Sequence, residues 1–269
     1  MKKIIGLVVS LMMVVSLTGC NNSNNTSASV KIGGSTSVEK IILSAIEVFN
    51  ESNPDIAITY DPTGSSTGVK SVASKDYDIG LASRDVKDSE VEKLNVEGVV
   101  FAIDGIVIVT NNQNSVTNLS LEQITSIANG TIKNWSEVGG SDAPIVLIGR
   151  EAGSGTRDGF ENIIGVEDCV YEQELTSTGS VIAAVSQNVN AIGYTSLSAV
   201  DNKIKTISVD NVHASEETIK DKTYKIQRNF NFVISKENNM SEQAKAFYDF
   251  VLSKEAIDII KNAGAIPTK

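Results

Sequence analysis

Three times along this chain an apolar run breaks into a loop of glycine and hydroxyl residues that opens directly onto a helical pattern. The loops are Gly33-Gly34-Ser35-Thr36-Ser37, Gly64-Ser65-Ser66-Thr67-Gly68 and Gly153-Ser154-Gly155-Thr156. A strand that feeds a helix through a short loop is the building unit of an α/β sheet, so this arrangement constrains the fold more than any other feature. The first unit shows it well. Residues 30–33 read as a strand, and Val38, Ile41, Ile42, Ala45, Ile46 and Phe49 then fall on one helical stripe that ends at Asn53-Pro54. Thr36 and Glu39 stand in capping-box order, which predicts Thr36 as the N-cap. Further strands are read at 56–60, 78–81, 99–102, 106–110, 145–148, 191–194, 204–209 and 230–234. Helices are read after Ser120, to about residue 163, at 180–185, and over 241–252 and 254–263. The class predicted is α/β with a mostly parallel sheet.

Such loops also carry chemistry. They place unpaired backbone N–H groups and hydroxyls at the positive end of a helix, and glycine lets an anion approach the backbone. Each alone reads more readily as an ordinary cap or turn. Three together, with Arg150 and Arg157 beside one and Arg84 after Ser83, point to a tetrahedral oxyanion. The net charge of −10 does not oppose that, because local dipoles in a cleft bind an anion whatever the outer surface carries. The same acidity disfavours nucleic acid as a partner. No Gly-x-x-x-x-Gly-Lys-Ser/Thr occurs, which excludes a nucleotide P-loop. The one histidine, His213, lies in a polar stretch, and no Gly-x-Ser-x-Gly surrounds Ser154, so a serine hydrolase there lacks its base. With two cysteines in 269 residues, neither a disulfide scaffold nor a metal cluster is supplied, and no cofactor is implied.

The N-terminus reads as an address. Lys2-Lys3 precede an uncharged apolar run over 4–17, which closes with Leu17-Thr18-Gly19-Cys20. A charged head, an apolar stretch shorter than a membrane span and small residues before a cysteine predict an export signal over 1–19, the other reading being a single N-terminal membrane anchor. The segment resembles a bacterial lipoprotein signal, which implies Cys20 as the lipidated first residue of the mature chain. Residues 20–29 are rich in Asn and Ser and read as a flexible tether. Cys169 is then predicted to be a small buried residue.

Gly34-Ser35-Thr36-Ser37, Thr63-Gly64-Ser65-Ser66-Thr67-Gly68, Asp78-Ile79-Gly80-Leu81-Ala82-Ser83-Arg84 and Ile103-Asp104-Gly105-Ile106 occur in that order. Ile132-Lys133-Asn134-Trp135, Arg150-Glu151-Ala152-Gly153-Ser154-Gly155-Thr156-Arg157 and Asn190-Ala191-Ile192-Gly193-Tyr194 follow them. Nearly the whole chain after the tether resembles the phosphate-binding lipoproteins of bacterial phosphate ABC transporters. The resemblance implies a type II periplasmic-binding-protein fold, two α/β lobes with a ligand cleft between them. Lobe one would be residues 30–104 with 230–269 returning to it, and lobe two 105–229. It implies capture of inorganic phosphate outside the membrane by a monomer that delivers the ion to a permease and ATPase complex, with a lipid on Cys20 as membrane anchor. The ligand set it implies is Thr36, Ser37, Ser65, Arg150, Ser154, Gly155 and Thr156, with Ser83 and Arg84 beside them.

Some relatives carry an aspartate, where this chain has Ser83-Arg84, that accepts the proton of hydrogen phosphate. Asp104 is the candidate to replace it here, the other readings being a turn residue or an ion-pair partner for Arg84. A receptor for sulfate, molybdate or tungstate, a serine hydrolase at Ser154, and a sensory or adhesive lipoprotein of the same fold stand as alternatives.

Overall fold

The computed structural model describes residues 28–237 and 240–268. The export signal and Cys20, with most of the tether, lie outside the described residues. Lobe one begins with β1 (Ala28–Gly34), α1 (Glu39–Ser52), β2 (Ile56–Asp61), α2 (Ser65–Ala73), β3 (Ile79–Ala82) and α3 (Asp88–Leu94). The long β4 (Val96–Asn111) then leads to β5 (Asn118–Leu119), α4 (Leu121–Ala128), β6 (Val146–Arg150) and α5 (Gly155–Ile164). Next come β7 (Gln173–Leu175), α6 (Thr178–Gln187), β8 (Ala191–Ser196), β9 (Ile204–Thr206), β10 (Ser208–Val209) and α7 (Glu216–Lys220). The chain returns along β11 (Gln227–Ser235) and ends with α8 (Glu242–Val251), α9 (Ile257–Asn262) and β12 (Ile266–Pro267).

The main sheet runs β2-β1-β3-β11-β4-β8-β6-β7, with β9 and β12 added alongside β4. It is mixed rather than mostly parallel. The three βα units of the first segment pair parallel, as do β6, β7 and β8, whereas β4 and β11 run antiparallel to their neighbours. β11, returning from the far lobe, opposes β3, whereas β4 keeps the direction of β1 to β3 where it pairs with β11 and opposes β8 once it has crossed.

Where the sequence suggests two strands broken at Asp104-Gly105, the structure has one continuous strand. A charge is tolerated in its middle because Arg228 of β11 stands directly opposite Asp104. The first half of β4 pairs with β11 and the second half with β8 and β9, the change of partner falling between Gly105 and Ile106. A register shift at Phe230/Asn231 lies within the β11 ladder, opposite Val100 and Ala102.

Each half has its own core. One gathers Ile41, Ile42, Phe49, Phe101, Phe230, Phe232 and Phe247, and the other Val107, Val109, Trp135, Ile148, Phe160 and Tyr194. Trp135 is fully buried and its indole N–H donates to the Asn190 carbonyl at 2.9 Å. That bond pins the Asn134-Trp135 segment beneath β8. Cys169 is half-buried rather than buried, with its thiol 3.7 Å from the Val166 carbonyl. His213 is exposed.

Candidate functional site

Three glycine and hydroxyl loops were expected to start helices, and each does, with local differences. At the first, the cap is Ser35 and not Thr36. The Ser35 hydroxyl accepts the Ser37 N–H at 3.2 Å, and a short 3-10 turn (Thr36–Val38) precedes α1. The tighter turn releases the side chains of Thr36 and Ser37 from capping and leaves them free to face the other lobe. Gly34 makes this possible: its φ is +133°, and a Cβ there would lie 2.2 Å from the Leu81 carbonyl oxygen. At the second loop Ser65 opens α2, and its hydroxyl accepts the Ser83 N–H at 3.0 Å. At the third, Ser154 caps α5 by accepting the Arg157 N–H.

The three loops converge between the lobes. Ser37 Oγ lies 2.9 Å from Thr156 Oγ1 and 3.2 Å from Thr178 Oγ1, and Thr36 Oγ1 lies 3.0 Å from Thr178 Oγ1. The Thr178 N–H donates to Thr36 Oγ1 at 3.2 Å. Next to them Ser65 Oγ and Ser83 Oγ are 3.3 Å apart, and Gly155 packs so closely that an added Cβ would sit 2.5 Å from Ser65 Oγ. The Ser66 N–H donates to the Gly153 carbonyl, which closes the contact between α2 and the loop before α5. Thr36, Ser37, Ser65, Ser83, Ser154, Thr156 and Thr178 are all at least 95% buried. An open cavity of about 480 Å³ lined by Thr36, Ser37, Lys40, Thr178, Ser198 and Lys203 leads away from the cluster.

One cation is built into it. The guanidinium of Arg150 is fixed by its neighbours: Nε and Nη2 hold the two Glu151 oxygens at 3.0 and 2.9 Å, and the same nitrogens reach the Leu175 and Thr176 carbonyls. Only Nη1 faces the hydroxyls, 3.2 Å from Thr178 Oγ1. The Arg150 main chain is held as well, its N–H donating to the Tyr194 hydroxyl at 3.1 Å. Burial pushes the Tyr194 and Tyr171 phenols up, so both stay neutral donors behind Arg150 at ordinary pH.

Two predicted ligands are not brought into the cluster. Arg84 follows Ser83, yet its guanidinium is committed to Glu90, at 2.8 Å through both Nη1 and Nη2, and to Asp158. Asp104 pairs with Arg228 and not with Arg84. Its Oδ2 accepts Arg228 Nε and Nη2 at 3.0 and 2.9 Å, and its Oδ1 accepts the Ser196 hydroxyl at 2.8 Å. Burial raises the Asp104 pKa and lowers that of Arg228, and in each case the partner's charge opposes the shift. The nearest link from Asp104 to the cluster passes through Ser196 and Ser198 to the Ser37 carbonyl.

Thr178 escaped the sequence reading although Ser177-Thr178-Gly179-Ser180 is a loop of the same kind. The strand before it, Gln173–Leu175, is polar, so no apolar run announced it. Arg228 carried no local signal, since its partner is 124 residues away.

Two lobes joined by two crossing strands, with buried neutral donors and one fixed cation where they meet, define a solute-binding protein of the two-lobed class. The comparisons agree. The PBP superfamily domain matches residues 21–255. The phosphate-binding protein PstS of Borreliella burgdorferi is 32% identical, with both chains covered in full. A putative phosphate ABC transporter substrate-binding protein from Clostridium perfringens, solved with bound phosphate, superposes with a TM-score of 0.86 at 42% identity, over 90% of this chain and all of that one. An ABC-type phosphate transport receptor from Vibrio cholerae gives 0.72 at 32% identity, over 88% and 99%. The chain belongs to the PBP superfamily and, within it, to the phosphate-binding proteins of bacterial phosphate ABC transporters.

Proposed function

We propose that this protein captures inorganic phosphate outside the membrane and delivers it to an ABC-transporter permease and its ATPase for import. The observation that carries the reading is the single free edge of Arg150, aimed at hydroxyls supplied from both lobes. Phosphate oxygens would take the Arg150 Nη1–H, the hydroxyls of Thr36, Ser37, Ser65, Ser83, Thr156 and Thr178, and the N–H groups at the start of α5, where Ser154 and Gly155 lie. The cargo bonds to groups on both lobes only when the cleft is shut, so binding favours the closed form by differential contacts. Hydroxyls also accept, which lets them meet the proton of hydrogen phosphate, and sulfate brings no such proton.

No bond is made or broken in this reading. Ser154 spends its hydroxyl on capping α5, and the one histidine is exposed, so a nucleophile with its base is not assembled. We further propose that residues 1–19 direct export, that Cys20 carries the lipid which holds the protein at the membrane, and that the protein acts as a monomer. The lobes would be 30–104 with 230–269, and 105–229.

Calorimetric titration with phosphate, sulfate and arsenate tests the reading. One tight site for phosphate and arsenate, undisturbed by excess sulfate, is expected. Tight sulfate, molybdate or tungstate binding with weak phosphate would replace it with another oxyanion.

A further inference from the structure

Away from the hydroxyl cluster a second group of side chains bridges the lobes. Arg84 is held on lobe one by Glu90, by the Asp85 carbonyl at 2.9 Å and by Ser66 Oγ at 3.2 Å. Its remaining nitrogen, Nε, stands 2.9 Å from Asp158 Oδ2, and Lys87 Nζ stands 3.0 Å from the same oxygen. Asp158 lies in the first turn of α5, on lobe two. Both cations that touch it belong to lobe one. The Nε contact is out of hydrogen-bonding alignment, so it acts by charge. The Arg84 and Asp158 side chains are only 6% and 19% exposed, which leaves their attraction partly unscreened.

We propose that Asp158, gripped by Arg84 and Lys87, is an electrostatic latch that holds the lobes shut and sets how slowly the bound anion leaves. The proposal rests on the phosphate reading of the neighbouring cluster for its cargo, and its residues touch none of the hydroxyls assigned to that cargo. The coupling is short. Ser83 of the cluster precedes Arg84 of the latch, and Thr156 of the cluster precedes Asp158 by less than one helical turn. Drawing the start of α5 onto Ser65 and Ser83 therefore brings Asp158 to Arg84.

When the cleft opens, Arg84 keeps Glu90 and stays in place, whereas Asp158 loses both of its cations. The latch is thus preorganised on one lobe and broken completely by opening. A cavity of about 710 Å³ lined by Arg84, Lys87, Gly159 and Arg228 brings solvent to it, so salt can weaken it. Glu90 anchors the fixed half. Burial pushes its carboxyl up, but the Arg84 and Lys87 hydrogen bonds and charges outweigh this and hold it below the usual range.

The test is stopped-flow release of inorganic phosphate from the full chain, at low and high salt, with Asp158→Asn, Asp158→Glu and Lys87→Gln. Asp158→Asn should speed release about tenfold, equivalent to about 1.4 kcal/mol, and lose the acceleration by salt that the unaltered protein shows. Asp158→Glu should keep part of the effect, and Lys87→Gln, more exposed, should cost about twofold. Unaltered release and salt dependence in Asp158→Asn would overturn the latch while leaving phosphate binding standing.

A second readout does not depend on the cargo. Small-angle scattering of ligand-free protein should give a larger radius of gyration for Asp158→Asn than for the unaltered chain, and equal radii would overturn the latch whichever anion binds. Should Asp158→Asn fail to fold, Lys87→Gln and the salt dependence of the unaltered protein decide the matter by the same criteria.

Discussion

The hydroxyl cluster and the Asp104–Arg228 pair are about equally buried, lie between the same two lobes, and solve the problem of buried polarity in opposite ways. At the pair, a full charge meets a full charge, two N–H groups of Arg228 meet one oxygen, and Ser196 takes the other. In the cluster, neutral hydroxyls bond to one another at 2.9 to 3.3 Å around a single cation edge. An ion pair in which both carboxylate oxygens are taken holds strands β4 and β11 in one register where the chain changes lobes. A set of rotatable hydroxyls can exchange partners at small cost when a ligand enters. Burial alone does not separate a structural site from a binding one; what separates them is whether the polar groups can take new partners.

Breaking the pair should have the largest effect. Arg228→Met leaves the buried Asp104 carboxylate without its counter-charge, and a loss of about 3–5 kcal/mol in a denaturant melt is expected. The double change Asp104→Leu with Arg228→Met should recover much of it, because no unpaired charge remains. A single variant as stable as the parent would erase the contrast.

Arg150→Met should do the reverse. Its carboxylate partner Glu151 is partly exposed and can turn to water, so stability should change little. Phosphate affinity, read by calorimetry, should fall about 100-fold, the scale of one charge-assisted hydrogen bond in a closed site.

Gly155→Ala comes next. Its methyl would press on Ser65 Oγ at 2.5 Å and Ser83 Oγ at 2.8 Å, across the cleft and not within a lobe. A loss of about tenfold or more in affinity, with an unchanged melting curve for the ligand-free protein, is expected from overpacking on closure. Thr178→Val is the mildest. Removing one hydroxyl of several should weaken phosphate about fivefold, near 1 kcal/mol, and no change would take Thr178 out of the cluster.

The same contrast explains what could be read from residues alone. Strands and helix starts were legible because their signals are local: Gly34-Ser35-Thr36-Ser37 announces its turn, and Ser120 its cap. The convergence of Ser37 with Thr156 spans 119 residues, and only the resemblance to a known family supplied it. Arg84 was expected among the ligands because it adjoins Ser83, yet a neighbouring position in a loop does not fix where a long side chain goes. Glu90, six residues on, claims its guanidinium. Asp104 looked like a strand break because aspartate before glycine favours turns. The cation that lets it stay in a strand comes from the far end of the chain. Thr36 lost its expected capping role to Ser35, a shift of one residue that sequence periodicity does not resolve.

The central claim is that a neutral, two-sided set of donors with one arginine edge receives the anion while the Asp104 carboxylate stays out of it. A high-resolution crystal structure of the phosphate complex tests this most directly. The account predicts phosphate in contact with Arg150 Nη1 and with hydroxyls of both lobes, and Asp104 still bound to Arg228. Phosphate held by the Asp104 carboxyl, or lodged outside the Thr36–Ser65–Thr156 convergence, would contradict it.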